Sequence, residues 1–214
     1  MSAPELESGL RLGLELGLGS RCLVLASSSP RRSALLTQVG VEFRVVHPEV
    51  DEEAICHPDP VETAAMRAVA KLEAAIPLMR PDESALLSAD TMVFLGDTVF
   101  GKPATRDEAA HMLRALAGRT HTVVTACAML TGGDTRHRFV DTADVRFLPL
   151  DEAEVADYLN YEEWRGVAGG YRVQGVAARF IESIRGSYAT VMGLPIHRVY
   201  SILRSHIGTQ QPSQ

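Results

Sequence analysis

Cysteine is scarce in this 214-residue chain, and positive charge is in the minority. The three cysteines, Cys22, Cys56 and Cys127, lie far apart and show neither a Cys-x-x-Cys pair nor the Cys/His spacing of a metal site. This spacing argues against a disulfide scaffold and a structural zinc site, and we expect a reducing, cytoplasmic compartment. The formal net charge of −6 excludes a protein-wide positive field, so no nucleic acid partner is predicted and an anionic ligand needs a local cluster of cations.

Long apolar runs are missing as well. The leucine-rich stretch 10–18 is interrupted by charged residues, and no basic segment precedes it. The sequence therefore predicts neither a signal peptide nor a membrane span. We interpret residues 1–20 as a loose N-terminal extension, residues 21–208 as one domain and residues 209–214 as a polar tail.

Short apolar runs alternate with helical patterns along this domain. The predicted order is strand 22–26, helix 30–39, strand 41–45, helix 62–76, hairpin 85–103, helix 105–118, strands 120–130 and 136–147, helix 151–164, strand 180–184 and a last helix after Pro195. Because helical crossovers are mixed with hairpins, the pattern predicts an α/β fold with a mixed sheet. In the first hairpin Leu95 is expected to pair with Thr98. This register brings Asp90 and Lys102 to the same open end of the ladder.

The junction of the first strand and first helix, at residues 27–32, reads Ser-Ser-Ser-Pro-Arg-Arg. Here backbone N–H groups, the positive end of the helix dipole, hydroxyl groups and guanidinium groups can converge on one anion. We predict a phosphate site at Ser27, Ser29, Arg31 and Arg32. Adjacent arginines do not share a helical face, so one of the two is expected to meet the phosphates directly. The alternative is a helix capped by Ser29, with two solvated arginines.

Carboxylates and lysines from separate segments form a second candidate set. Its members are Asp51, Glu52, Lys71, Asp90 and Lys102. Cleavage of a phosphoanhydride needs oxygen ligands for a divalent cation, a base that orients water, and cations for the developing charge, and the set contains each type. The alternative for Glu52 and Lys71 is a solvated loop and a solvated helix face. Asp90 stands out, because a carboxylate in an otherwise apolar strand needs a partner or a function.

A glycine-rich stretch at 168–175 is the third feature. Glycines allow close backbone approach to a ligand, and the amide of Gln174 offers both a donor and an acceptor to a base edge. The stretch is not a dinucleotide-binding Gly-x-Gly-x-x-Gly pattern, and the chain has no phosphate-binding Walker loop. The absence of Gly-x-Ser-x-Gly argues against a serine hydrolase, and no histidine pair has the spacing of metal ligands.

Taken together, these segments resemble the Maf family of nucleoside triphosphate pyrophosphatases over about residues 21–205. The matching elements are 25–32 with 35–36, 51–52, the helix of Lys71, 89–91, 101–103, Gly118 with His121 and Thr125, 168–171 with 174–175, and 186–188 with 191–195. Several spaced motifs in the same order argue against a chance match. Residues 1–20 and 164–167 depart from the family pattern.

The resemblance implies a bent mixed β-sheet flanked by helices, with a cleft between two lobes. It also implies a homodimer that hydrolyses a nucleoside triphosphate between the α- and β-phosphates, with a divalent cation such as Mg²⁺ or Mn²⁺. Carried over residue by residue, Asp90 is the catalytic proton acceptor. The expected partners of phosphate, water or metal are Lys102, Lys71, Glu52, Ser27 and Arg32, with Asp90 and Glu52 as the candidate metal ligands.

The resemblance further implies a base preference. The branch similar to this chain carries Arg31, Thr91 and Gln174 at three specificity positions and acts on dTTP, UTP and some modified pyrimidine nucleotides. An amide at Gln174 can pair with the adjacent carbonyl and N–H groups of a pyrimidine. The open alternatives are the same chemistry on another base such as 7-methyl-GTP, as in the sister branch, and a non-enzymatic nucleotide-binding regulator of cell division, to which the family name alludes.

Overall fold

A computed structural model describes residues 23–208, and the predicted extension 1–20 and tail 209–214 lie outside this range. The strands are β1 (Leu23–Ala26), β2 (Phe43–Val46), β3 (Ala85–Leu95), β4 (Thr98–Phe100), β5 (Thr120–Thr131), β6 (Thr135–Phe147) and β7 (Ile181–Arg185). The helices are α1 (Pro30–Gln38), α2 (Pro60–Ala75), α3 (Arg106–Leu116), α4 (Glu152–Asn160), α5 (Tyr188–Met192) and α6 (Ile196–Gly208). No helix within 23–208 is long and apolar enough to cross a membrane.

The strands form one mixed sheet, which confirms the predicted fold class. The order across the sheet is β2-β1-β3-β5-β6-β7, and β4 pairs with β3 as a hairpin. Strand β1 runs parallel to both of its neighbours, whereas the other pairs are antiparallel. The parallel pairs follow from the helical crossovers, because α1 connects β1 to β2 and α2 connects β2 to β3.

Both faces of the sheet are covered by helices. Leu23 and Leu25 pack into one hydrophobic core, and Val24 and Ala26 pack into a second core on the opposite face. Helix α2 covers the second core, while α1, α3, α4 and α6 contribute to the first. Burial on both faces explains why β1 is a continuous apolar run rather than an alternating one.

The hairpin of β3 and β4 has the predicted register, with Leu95 paired to Thr98. Strand β4 ends at Phe100, so the ladder stops before it reaches Lys102. The pairing of Thr91 with Lys102 that this register would give is therefore not formed, although Asp90 and Lys102 both line one cleft.

The predicted end of the helix at residue 164 is wrong, because α4 ends at Asn160. Glu162 has a positive φ of 55°, which a continuing helix does not allow. Trp164 then turns back into the first core, where it is 2 % exposed and its indole N–H donates to the carbonyl of Leu159 at 3.2 Å. The short helix α5 was not predicted, since five residues are too few to show a helical period.

Candidate active site

A cleft lies beside the end of β1, between the sheet and the glycine-rich segment. Ten of the eleven residues that the sequence assigned to the site line it, namely Ser27, Ser29, Arg31, Arg32, Glu52, Lys71, Asp90, Thr91, Lys102 and Gln174. Asp51 is the one member of the carboxylate set that does not line this cleft. Asp51 is exposed and accepts the N–H of Ala54 at 3.2 Å within its own loop, so its role is a local turn.

A lysine and two carboxylates meet at the base of the cleft. The Nζ of Lys71, from α2, lies 2.7 Å from Oδ1 of Asp90 on β3 and 2.8 Å from Oε2 of Glu52 in the loop after β2. Lys71 and Asp90 are buried, whereas 35 % of the Glu52 side chain is exposed. These contacts overturn the alternative in which Glu52 and Lys71 are solvated surface residues.

Within this cluster, Oδ2 of Asp90 is buried and has no hydrogen-bond partner among the described residues. Burying a carboxylate oxygen without a hydrogen-bond donor costs free energy, so a ligand that supplies a donor or a cation to this oxygen would be stabilised. Burial alone would raise the pKa of Glu52, but its hydrogen bond to Lys71 and the charges of Lys71 and Lys102 hold that pKa below its usual value. Glu52 therefore stays ionised at neutral pH.

Arg32 is the buried arginine of the adjacent pair, and side chains and backbone from several segments hold its guanidinium group. Its Nε donates to the carbonyl of Gly193 at 2.8 Å, Nη1 to Oγ of Ser27 at 2.8 Å, and Nη2 to Oγ1 of Thr91 at 3.1 Å. Burial lowers the pKa of Arg32, and the nearby charge of Asp90 opposes that shift. Since a guanidinium has five N–H groups, two remain for a ligand.

A chain of threonine hydroxyls continues from Arg32 into the sheet. Thr125 on β5 donates its only hydroxyl proton to the carbonyl of Thr190, at 2.9 Å. In the 2.9 Å contact between Thr91 and Thr125, Thr91 must therefore be the donor. The direction of the chain runs from Arg32 through Thr91 and Thr125 to Thr190, and the hydroxyl of Thr190 in turn donates to Asp141. Both bonding directions of the Thr91 hydroxyl are thus committed inside the protein.

Ser29 occupies the N-cap position of α1, as the sequence indicated, but its side chain does not cap the helix. Its Oγ is instead buried without a hydrogen-bond partner among the described residues, while its backbone N–H donates to Ser27 Oγ at 3.2 Å. The capping alternative is therefore wrong for this side chain. Two residues of the cleft, Ser29 and Asp90, therefore each have a buried polar atom without a hydrogen-bond partner among the described residues.

Three further cations line the more open part of the cleft. Burial, together with the charges of Arg32 and Arg172, lowers the pKa of Arg31 to about 10. Lys102 is exposed, and Arg172 projects from the glycine-rich segment. An anion in this cleft would relieve the repulsion among these cations, so the electrostatics favour a polyphosphate.

Gln174 is exposed and lines the same cleft as Asp90. Earlier in the same segment, Tyr171 is buried and its hydroxyl lies 2.7 Å from Nε2 of His121 on β5. His121 is 1 % exposed, and burial lowers its pKa to about 4, so it is neutral at physiological pH. This contact anchors the glycine-rich segment to the sheet.

Sequence reasoning missed the residues that support the ligand-facing ones. Thr125 was named as a matching element without a role, Arg172 lies within the glycine-rich stretch, and Thr190, Asp141 and Gly193 were not assigned any role. A fully buried hydroxyl in an otherwise apolar strand was the available signal for Thr125. Nothing local marks the carbonyl of Gly193, which is 161 positions from Arg32.

The fold and the cleft together define an α/β protein with a cation-lined cleft that contains a lysine paired with two carboxylates. The family model described as "Maf-like protein" matches residues 22–206, and the chain belongs to this family. A dTTP/UTP pyrophosphatase of Rhodopseudomonas palustris (strain ATCC BAA-98 / CGA009) is 45% identical over 192 residues, which cover 87% of this chain and 92% of the relative. A dTTP/UTP pyrophosphatase of Symbiobacterium thermophilum is 43% identical over 181 residues, with coverage of 85% and 92%.

Among solved structures, a HAM1 protein from Coxiella burnetii matches with a TM-score of 0.43 and 15% identity, covering 89% of this chain and 95% of that one. A nucleoside-triphosphatase (dITP/XTP pyrophosphatase) from Mycobacterium abscessus matches with a TM-score of 0.40 and 13% identity, covering 89% and 99%.

Proposed function

We propose that this protein hydrolyses dTTP and UTP between the α- and β-phosphates, releasing the nucleoside monophosphate and pyrophosphate. The observation that carries the proposal is the buried, unpartnered oxygen of Asp90 in a cleft that also holds Lys71, Arg31 and Arg32. A binding protein needs the cations but gains nothing from a buried carboxylate beside an anion. Family membership and the named relatives add the substrate class.

The triphosphate is held by cations on both sides of the cleft. The two remaining N–H groups of Arg32 bind one phosphate at a fixed angle, because the other three hold the guanidinium in place. Arg31 and Lys102 bind the more exposed phosphates, so both adjacent arginines meet the triphosphate and not only the one that the helix spacing predicted. The hydroxyl of Ser29 donates to a phosphate oxygen. These donors stabilise the charge that develops on the pyrophosphate leaving group.

Asp90 is the proton acceptor in this proposal. The Nζ of Lys71 lies 2.7 Å from Oδ1, which leaves Oδ2 as the atom that accepts the proton of the attacking water. Glu52, on the other side of Lys71, shares the same ammonium group and adds a second anionic oxygen nearby. Lys71 is thus a positioning residue for both carboxylates.

The carboxylates also fit a divalent cation. No group of three His, Cys, Asp or Glu residues suited to a metal occurs within residues 23–208, so an all-protein metal cage is not formed there. The partly exposed carboxylate of Glu52 offers hard oxygen ligands, and one or two carboxylates with substrate phosphates and water are the usual ligands of Mg²⁺. Asp90 would join Glu52 as a ligand only if its Oδ2 were not the proton acceptor. When bound, Mg²⁺ or Mn²⁺ supplies charge neutralisation on the phosphates and a more acidic water.

In this proposal Gln174, which lines the same cleft, selects the base. Its exposed amide presents a donor and an acceptor within the cleft, as a pyrimidine edge requires. Thr91 contributes indirectly, since its hydroxyl is committed to Arg32 and Thr125. Arg31 contributes to both phosphate binding and base selection, because it lines the cleft near Arg32 and near Arg172 of the glycine-rich segment.

Chromatography of reaction products tests this function. Purified protein with Mg²⁺ is incubated with dTTP, UTP, CTP, GTP and 7-methyl-GTP, next to a protein-free blank. Monophosphate and pyrophosphate from dTTP and UTP support the proposal. Diphosphate and orthophosphate would refute cleavage between the α- and β-phosphates, turnover of 7-methyl-GTP alone would refute the base assignment, and no turnover of any nucleotide would refute the enzyme.

Two further properties extend the proposal. We expect a cytoplasmic protein, on the basis of its cysteine usage. We also expect a homodimer, as the family resemblance implies. Light scattering coupled to gel filtration checks the second expectation, because a mass equal to one chain of 23.2 kDa would contradict it.

A further inference from the structure

The carboxylate of Glu163 contacts the backbone just after Gln174, at Gly175 and Val176. Its Oε2 accepts the N–H of Val176 at 2.8 Å. Between these two residues lies Gly175, and a Cβ atom built on Gly175 would lie 2.1 Å from Oε2 and 2.6 Å from the carboxyl carbon of Glu163. The carboxylate therefore occupies the space that any side chain at position 175 would need.

Space, and not backbone conformation, is what requires glycine at position 175. Its φ of −107° is open to every residue type. A glycine next to Gln174 nevertheless adds conformational freedom that a recognition residue must lose on binding. The hydrogen bond from Glu163 to Val176 removes part of that freedom, since it fixes the chain immediately after the glycine.

Glu163 itself is held in a fixed turn. Helix α4 ends at Asn160, and Glu162 takes a positive φ of 55°. On the other side, Trp164 is 2 % exposed and donates to the carbonyl of Leu159. The backbone on both sides of Glu163 is thus defined, and the segment 164–167 that departs from the family pattern supplies the anchor.

We infer that Glu163 is a positioning residue for substrate selection, which holds Gln174 in the conformation that recognises the pyrimidine base. The inference rests on the proposed function, in which Gln174 contacts the base. Glu163 itself does not line the cleft, so it acts through the backbone of residues 174–176 and not by touching the nucleotide. The pair of Gln174 and Gly175 is then one unit, because the glycine exists to admit the carboxylate.

Steady-state kinetics with three single variants provide the first test. In Glu163→Ala the KM for dTTP should rise about tenfold while kcat changes less than about twofold, because a charge-assisted hydrogen bond that orders the binding loop is lost. Glu163→Gln should stay close to wild type, since its amide oxygen still accepts from Val176. Glu152→Ala removes an exposed carboxylate that pairs with Arg114 and serves as the matched control.

A double-mutant cycle provides the second test. Gly175→Ala alone should displace the Glu163 carboxylate and raise the KM as much as Glu163→Ala does. Added to Glu163→Ala, the same substitution should have little further effect, because the carboxylate that it would strike is gone. Equal, additive effects of the two substitutions would contradict the coupling.

Hydrogen–deuterium exchange separates this inference from the proposed function, because it needs no substrate. In protein that melts at the wild-type temperature, Glu163→Ala should speed exchange in peptides covering residues 172–178, and Glu163→Gln should not. Unchanged exchange and an unchanged KM in Glu163→Ala would overturn the inference. If wild-type protein fails to hydrolyse dTTP while the exchange result holds, the proposed function fails and the structural coupling stands.

Discussion

The two walls of the cleft are built in different ways. On the sheet wall, defined by Ser27, Arg32, Lys71 and Asp90, all four residues are buried, and side-chain bonds between 2.7 and 2.8 Å link them in pairs. On the loop wall, defined by residues 166–174, Gln174 is exposed, and two residues later the N–H of Val176 donates to Glu163. Fixed charges in a buried setting suit bond cleavage, whereas an exposed amide on a glycine-rich segment suits selection among bases.

The strongest test of this division is the sheet-wall substitution Asp90→Asn. We expect kcat for dTTP to fall by about 10³-fold, because the proton acceptor is lost while shape is kept. Nucleotide binding, measured by calorimetry with dTTP, should persist. Asp51→Asn is the matched control, since Asp51 lies one residue from Glu52 but outside the cleft. Near-normal turnover in Asp90→Asn would show that Asp90 is not the proton acceptor.

Removal of the central cation should damage the sheet wall as a structure. Lys71→Met leaves Asp90 buried and without its ion-pair partner, which we expect to lower the free energy of unfolding by about 3 kcal/mol. Combining it with Asp90→Asn should restore part of that loss without restoring activity. Urea denaturation measures both effects. An unchanged stability in Lys71→Met would show that Asp90 does not depend on this contact.

The anchor of the loop wall should respond to pH. Burial lowers the pKa of His121 from 6.5 to about 4, so the unfolded chain binds more protons than the folded one between these values. The free energy of unfolding should therefore fall as pH drops from about 6.5 to about 4, by at most about 3 kcal/mol from this residue.

His121→Gln tests the assignment, because it keeps a polar group near Tyr171 but cannot titrate. Denaturation profiles of this variant should lose part of the slope over that pH range. A slope identical to that of wild type would assign the pH dependence to other groups. His137, a half-buried histidine on β6 that bonds Thr131, supplies the comparison variant His137→Gln.

Gln174→Ala, on the loop wall, should have the smallest effect on catalysis, and it tests whether this wall acts on base recognition alone. The KM for dTTP should rise about fivefold to tenfold with little change in kcat, since the side chain contacts the base and not the scissile bond. Discrimination between dTTP and GTP should narrow at the same time. A loss confined to kcat would count against a role in base recognition.

The two walls differ in how much of their structure could be predicted from the sequence. The order of the strands, the register of the hairpin and ten of the residues that line the cleft followed from apolar patterns, caps and motifs, together with the family resemblance. Patterns of this kind report which face of a strand is buried and which residues begin a helix. They could not show which of the adjacent arginines is buried, because partners such as Gly193 come from far along the chain.

The supporting residues of the loop wall were harder to predict for a related reason. The true end of α4 depends on Trp164 packing into the core and on a positive φ at Glu162, and neither leaves a local pattern. The role of Glu163 depends on a carboxylate that fits against Gly175, which only three-dimensional proximity reveals. Tertiary contacts of single side chains, and not propensities, decide such details.

The hydroxyl chain that begins at Arg32 limits how this cleft can change in evolution. Position 91 is closely packed, because a Cβ on Gly193 would already come within 3.1 Å of Thr91 Oγ1. A larger side chain at position 91 would press against Gly193 and take away an acceptor of the Arg32 guanidinium in the same step. A substitution at this position therefore needs further substitutions that compensate for it, because on its own it would disturb the hydrogen bonds that hold Arg32.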